Sequence, residues 1–217
     1  MIEAVVFDMD GVLVDSEPIW EQVRRGVVAE YGGTWLPEAQ TALMGMSTPE
    51  WAAYLSDDLG VGKPPDEVAQ IVIDQMVARY EEHLPVLPGA DEAVRRCAGR
   101  WRLGLASSSP RRLIDAVLQT AGWADLFAVT VSTEELDRGK PAPDVYLHAV
   151  TALGADPAAC AAIEDSSNGM RSATAAGLVL IAAPRPEYPP ADDALEPAAM
   201  VIGGIGELDV DAVAALG

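Results

Sequence analysis

Five short runs along the chain are apolar at nearly every position: residues 2–7, 102–107, 127–131, 160–163 and 178–181. A strand with one face in water alternates apolar and polar residues. Unbroken apolar runs instead predict strands buried on both faces, as in a parallel sheet. Between them the apolar positions recur at helical spacing, over residues 90–99, 111–121, 142–153 and 169–176. In the second of these, Leu113, Val117, Leu118 and Ala121 share one helical face. Such alternation predicts an α/β fold, a doubly wound, Rossmann-like parallel sheet covered by helices.

The alternation breaks once. Residues 16–85 contain no run that reads as a strand. Four helical segments are predicted there instead, near residues 18–31, 37–44, 49–59 and 66–83. Each opens close to a proline or an acidic residue, as helix N-termini do. The expected organisation is a sheet domain of residues 1–15 and 86–217 with a helical domain, 16–85, inserted into it. "LPVLPGADEAV" (84–94) reads as the returning hinge, stiffened by Pro85 and Pro88. Trp20, Trp35 and Trp51 fall in the insert and read first as its core. "PRPEYPPADD" (184–193) reads as a surface loop.

Composition changes the picture at one point. Half of the 217 residues are hydrophobic and 22% are charged, which is ordinary, but the formal net charge is −20. That argues against nucleic acid or an anionic membrane as partner, because both need clustered Lys and Arg. A small anionic substrate would need a local positive centre or a bound metal. Cys97 and Cys160 both sit in apolar stretches and read as buried thiols. No leader and no apolar run of spanning length stands out, so a cytoplasmic protein is expected, working as a monomer on a small phosphorylated metabolite.

In doubly wound sheets the working residues gather at the carboxyl ends of the strands. The first strand runs into "FDMDGVLVDSE" (7–17), which sets Asp8 and Asp10 one residue apart and follows them with Gly11, a residue that permits a tight turn close to a ligand. Carboxylates this close repel each other unless a cation or a shared proton intervenes. The second strand ends "ASSSP", with Ser107, Ser108 and Ser109 entering a helix, where hydroxyls and free backbone N–H groups form an anion site. The third is followed by "RGKPAPD" with Lys140, and the fourth ends "IEDSSNG" with Glu164 and Asp165. Singly, each has an innocent explanation as a turn or a helix cap. Together they supply what metal-assisted phosphoryl transfer requires. Asp8, the backbone carbonyl of Asp10, and Asp165 form an oxygen site suited to Mg²⁺. Lys140 and Ser107 would grip the phosphoryl oxygens. Asp8 would act as nucleophile, and Asp10 would protonate the leaving oxygen and then deprotonate water.

In order and spacing, "FDMDGVLVDSE", "LASSSP", "GKPAPDVY" and "IEDSSNGM" resemble the four motifs of the haloacid dehalogenase-like (HAD) hydrolase superfamily, over essentially the whole chain. The insert looks like that superfamily's small helical cap domain. The resemblance implies a Mg²⁺-dependent phosphatase forming an aspartyl-phosphate on Asp8, with Glu164 supporting the metal ligands from behind. Within the superfamily the motifs look most like bacterial hexose- and hexitol-phosphate phosphatases. Glu17, Trp20 and Ser47, the last in "LMGMST" (43–48), are the expected cap contacts to the substrate.

The rival readings differ in particular residues. A phosphorelay receiver shares an acidic pocket and a Lys-Pro, but its acceptor Asp follows a middle strand and no helical insert interrupts it. A calcium loop would need an acid where Ile19 stands. The metal-free dehalogenases lack a second aspartate. A phosphonate-cleaving relative needs a cap lysine, and Lys63, the only lysine besides Lys140, lies between two insert helices as a solvated loop residue. A sugar-phosphate mutase of the β-phosphoglucomutase type is the nearest alternative. Its relatives carry a histidine where Trp20 stands and basic residues in the strip that here reads Met44-Gly45-Met46-Ser47-Thr48. Arg24 and Arg25 leave that alternative open, since either would supply a cation by pointing inward.

Overall fold

The computed structural model describes residues 1–43 and 46–217. They divide into two compact units, Met1–Asp15 with Pro85–Gly217, and Ser16–Leu84. Met44 and Gly45, part of the strip considered above, lie outside the described residues.

The first unit is built on six parallel strands: β1 (Ala4–Phe7), β2 (Arg102–Ser107), β3 (Phe127–Ser132), β4 (Cys160–Glu164), β5 (Val179–Ala182) and β6 (Met200–Val201). Their order is β3-β2-β1-β4-β5-β6. All four residues of β1 and all five of β4 are buried, as apolar runs without alternation require. The order in which strands are added reverses at β1, which pairs with β2 on one side and β4 on the other. A crevice at the carboxyl ends of these three strands is therefore the expected place for a ligand. The short edge strand β6 is absent from the apolar pattern for a simple reason. It is two residues long, and Val201 is 54% exposed.

The second unit holds α1 (Glu17–Glu30), α2 (Ala39–Leu43), α3 (Thr48–Ala53) and α4 (Pro65–Glu82). Pro18, Pro49 and Pro65 sit in first turns, where a missing N–H costs nothing. The helix expected over 49–59 is in fact two pieces, because α3 passes into a π-helical turn at Tyr54–Asp58. Val23, Val27 and Val28 of α1 and Val68, Val72 and Met76 of α4 are buried within the unit. Trp20 and Trp51 meet edge to face at 5.8 Å. Arg24 points inward, 6% exposed, with its guanidinium 4.4 Å from the Trp20 ring centre and 5.2 Å from that of Trp51. Burial lowers its pKa to about 10, against the opposing pull of Glu17 and Tyr80. Arg25 instead pairs with Glu21 at the surface, 2.8 Å away.

Back in the sheet unit, α5 (Ala90–Ala98), α6 (Arg111–Thr120), α7 (Asp144–Leu153) and α8 (Ser167–Ala175) begin and end within two residues of their expected bounds. The core on one sheet face runs from Ala4 and Val6 through Val145, Ala149 and Leu153 of α7 to Met170 and Ala173 of α8. Gly104 lets α7 approach β2, since a Cβ there would lie 3.1 Å from Leu153 Cδ1. The segments flanking the helical unit are stitched together. Asp15 N–H donates to the Pro85 carbonyl (2.8 Å), and Leu87 N–H to that of Leu13 (2.9 Å). Cys97 and Cys160 are buried, and desolvation pushes each thiol up to about 11, which leaves them unreactive. Among the described residues, no helix is long and apolar enough to cross a membrane.

Candidate active site

β1 aims its chemistry into the crevice through backbone register. Phe7 lies level with Leu105 of β2 and Ile163 of β4. Asp8 N–H then donates to the Ile163 carbonyl at 3.0 Å. Asp8, 6% exposed, therefore emerges between the ends of the two neighbouring strands. Beyond it the chain turns at Gly11, whose φ of +81° suits glycine alone. A Cβ at that position would fall 2.0 Å from Asp165 Oδ2, so the turn brings bare backbone against this carboxylate.

Lys140 ties three strand ends together. Its Nζ donates to Asp8 Oδ1 (2.6 Å), to Glu164 Oε1 (2.6 Å) and to the Ala106 carbonyl (3.0 Å). An ammonium has three N–H groups, and all three are engaged. Glu164, fully buried, also accepts from Tyr146 Oη at Oε1 (2.7 Å) and from Ser166 Oγ at Oε2 (3.2 Å). Burial first, then Glu164, holds the Tyr146 phenol far above its usual range, so it stays a donor. Ser166 works twice, since its Oγ also accepts Gly169 N–H at 3.1 Å and caps α8.

Gly169 is required by this packing. A Cβ there would meet the Glu164 carboxylate at 1.9–2.0 Å. Gly-to-Ala in a helix ordinarily stabilises by about 0.5–1 kcal/mol. Gly169→Ala is expected to do the reverse, lowering the urea midpoint and the activity together. A raised midpoint would contradict the tight seat of Glu164.

Asp10 turns to the second strand rather than to Lys140. Its Oδ2 accepts from Ser109 Oγ (2.7 Å) and from Ser107 Oγ (3.3 Å). Its Oδ1 is buried without a hydrogen-bond partner. Ser107 is fully buried and Ser108 is exposed at the same turn. None of these serines caps α6, whose N-cap is Pro110.

Electrostatically the crevice is overloaded with acid. Burial raises Asp8 well above the carboxylate range, Lys140 pulls it down, and Glu164, Asp165 and Asp10 push it up again. Burial, reinforced by Glu164, pushes Asp165 up to about 7. Desolvation works against the Lys140 ammonium, but Asp8 and Glu164 outweigh it and hold it above its ordinary value. One oxygen each of Asp8, Glu164 and Asp165 lie within 4.8 Å of one another. Hard oxygen donors, excess negative charge and raised acid pKa values fit a small divalent cation such as Mg²⁺. Glu164, with both oxygens already accepting hydrogen bonds, is the least available of the three.

The pH dependence follows from these shifts. Without a cation the fold keeps protons on Asp8 and Asp165 that the unfolded chain releases near pH ~4. A carboxyl raised in the folded state contributes stability below its unfolded pKa and loses it as pH rises through the folded one. In EDTA the midpoint is therefore expected to fall between about pH 4 and pH 7, the value to which Asp165 is pushed. Mg²⁺ should restore stability increasingly over the same window, by binding the folded state. Equal midpoints with and without Mg²⁺ at pH 8 would contradict this.

The structure thus gathers Asp8, Asp10, Gly11, Ser107, Lys140, Glu164 and Asp165 at one end of the sheet. Ser109, the last serine of "ASSSP", joins them through Asp10, and Tyr146, which does not stand out in the sequence, joins through Glu164. Glu17, Trp20 and Ser47 belong to the helical unit and are engaged there. Glu17 accepts from Gln40 (2.8 Å), Trp20 packs on Trp51, and Ser47 donates its N–H (2.8 Å) and its hydroxyl (2.6 Å) to Glu50 Oε2 at the start of α3. The pattern Ser47-x-x-Glu50 is the sequence signal of that capping box. Lys63 lies in the loop before α4. It pairs with Glu67 and lies 5.0 Å from the Tyr31 ring centre.

A sequence model of the haloacid dehalogenase-like hydrolases matches residues 2–177. Hexitol phosphatase B of Escherichia coli (strain K12) is 38% identical over 192 residues, covering 86% of this chain and 85% of that protein. Protein CbbY of Rhodobacter capsulatus is 34% identical over 206 residues, 88% and 89% of the two chains. The crystal structure of CbbY from Rhodobacter sphaeroides in complex with phosphate matches with a TM-score of 0.84 at 26% identity, over 96% of each chain.

Proposed function

Since the chain belongs to the haloacid dehalogenase-like hydrolases, we propose that it is a phosphatase of small sugar or sugar-alcohol monophosphates, Mg²⁺-dependent and working through an aspartyl-phosphate on Asp8. One observation carries this reading. Asp8, just beyond the end of the crevice strand, pairs with Lys140 and lies with Glu164 and Asp165 in a cluster whose oxygens fall within 4.8 Å of one another, a set that could hold a metal ion.

Asp8 and Asp165, with the Asp10 carbonyl, would hold Mg²⁺, and Glu164 would brace them. When bound, the ion offsets the negative charge of the phosphate ester and of its transition state. Lys140 sets Asp8 in place and supplies positive charge beside it. Because its three N–H groups are engaged, its help to the phosphoryl group comes mainly through charge. Ser107, with the exposed Ser108 and the bare backbone of Gly11, would receive phosphoryl oxygens. An Asp8 oxygen bonds to phosphorus as the bond to the leaving oxygen breaks, and Asp10 gives that oxygen its proton. Water then bonds to phosphorus and yields a proton to Asp10, while the Asp8–phosphorus bond breaks and releases inorganic phosphate.

Residues 16–85 are assigned as the helical cap domain that selects the substrate, and the enzyme as a cytoplasmic monomer. The absence of an imidazole at Trp20 favours hydrolysis over phosphoryl exchange. The test is phosphate release from sorbitol 6-phosphate, glucose 6-phosphate and 2-deoxyglucose 6-phosphate with Mg²⁺, beside an isomer-exchange assay of glucose 1-phosphate primed with glucose 1,6-bisphosphate. Free phosphate from at least one ester is expected, with no exchange. Isomer forming faster than free phosphate would overturn the assignment.

A further inference from the structure

The two carboxylate oxygens of Asp10 are in different surroundings. Oδ2 accepts two serine hydroxyls, while Oδ1 is buried and has no hydrogen-bond partner. An aspartate turns easily about its last torsion, which is broad and two-fold, so something must decide which oxygen faces the chemistry. Resting on the phosphatase reading above, we propose that Ser109 is a positioning residue for Asp10. Its hydroxyl fixes Oδ2, and so presents Oδ1 as the atom that gives the proton to the leaving oxygen and takes one back from water.

Ser109 suits this role better than Ser107. Its contact is the shorter, 2.7 Å against 3.3 Å. Ser107 Oγ has a single proton, already assigned to a phosphoryl oxygen during turnover, and it also accepts Ser109 N–H at 3.0 Å. Once Ser107 turns to the phosphoryl group, Ser109 alone holds Asp10. Ser109 is in turn held rigidly. It is 6% exposed, and its carbonyl accepts from Ser132 Oγ at 2.7 Å. The N-cap of α6 is Pro110 rather than Ser109, and no side-chain cap bond is made there.

The test uses leaving groups that differ in their need for a proton. kcat/KM covers the steps up to departure of the leaving group. A sugar alkoxide needs a proton to depart, and p-nitrophenolate does not. Ser109→Ala is expected to lower kcat/KM for sorbitol 6-phosphate by roughly 10- to 100-fold, at the low end of what acid–base catalysis supplies. For p-nitrophenyl phosphate the loss should stay within about 3-fold, since that leaving group makes no call on the acid. Asp10→Asn, measured alongside, should discriminate between the two esters more strongly. If Asp10→Asn discriminates while Ser109→Ala lowers both esters equally or neither, the positioning role is wrong and the phosphatase reading survives. If Asp10→Asn shows no discrimination, the acid–base role of Asp10 fails, and the role of Ser109 with it.

Discussion

Asp8→Asn is expected to abolish phosphate release, by roughly 10⁴-fold or more, the scale seen when an enzyme loses its nucleophile. The amide keeps the shape of Asp8 but cannot attack phosphorus. The same change should leave the metal-free fold at least as stable as the parent at pH 7 and above. Asp8 is raised by burial and by Glu164, Asp165 and Asp10, so its ionisation costs stability as pH climbs. Removing that charge removes the loss, and Lys140 keeps Glu164 as a partner at 2.6 Å. With Mg²⁺ present the order should reverse, because the variant has lost a ligand. Turnover above a small fraction of the parent's, or a metal-free variant much weaker than the parent at pH 8, would contradict the part assigned to Asp8.

Lys140→Met is expected to give the largest loss of stability from a single site residue. Among the described residues its ammonium is the one cation paired with both Asp8 and Glu164, and its side chain is 6% exposed. Breaking a buried ion pair by deleting one partner costs ~3–5 kcal/mol, since the remaining charge has no compensation. The loss should be smaller at pH 5, where the acids take up protons, and smaller again with Mg²⁺. Activity should fall by ~10²–10³, the usual effect of removing one charge-stabilising donor. An unfolding midpoint unchanged at pH 8 in EDTA would mean that Lys140 does not hold the crevice together.

The parts of this architecture that were legible in the sequence are those dictated by local chemistry. β1, β2 and β4 announce themselves because strands buried on both faces admit only apolar residues. The acids, serines and lysine at their ends stand out because nothing apolar explains them. Contacts that depend on register were not legible. Tyr146 reads as an ordinary core aromatic of α7, and only the packing of α7 against the sheet brings its hydroxyl to Glu164. Ser109 reads like any serine before a helix, yet its hydroxyl crosses to Asp10. The π-helical turn at Tyr54–Asp58 leaves no mark in the apolar pattern, because it continues the same buried face with Leu55. The Ser47–Glu50 capping box was readable from its spacing, although the hydroxyl was expected to serve the substrate.

The most direct test of the central claim is to trap the phosphorylated enzyme. Enzyme mixed with Mg²⁺ and ³²P-labelled sorbitol 6-phosphate would be quenched in acid within a turnover and digested, and the labelled peptide sequenced. Borohydride reduction, which converts an acyl phosphate to homoserine, would mark the residue. Acid-stable, base-labile label on the peptide holding Asp8, with homoserine at position 8, is the predicted result. Steady release of phosphate with no label on the enzyme at any quench time, or label on any other residue, would contradict it.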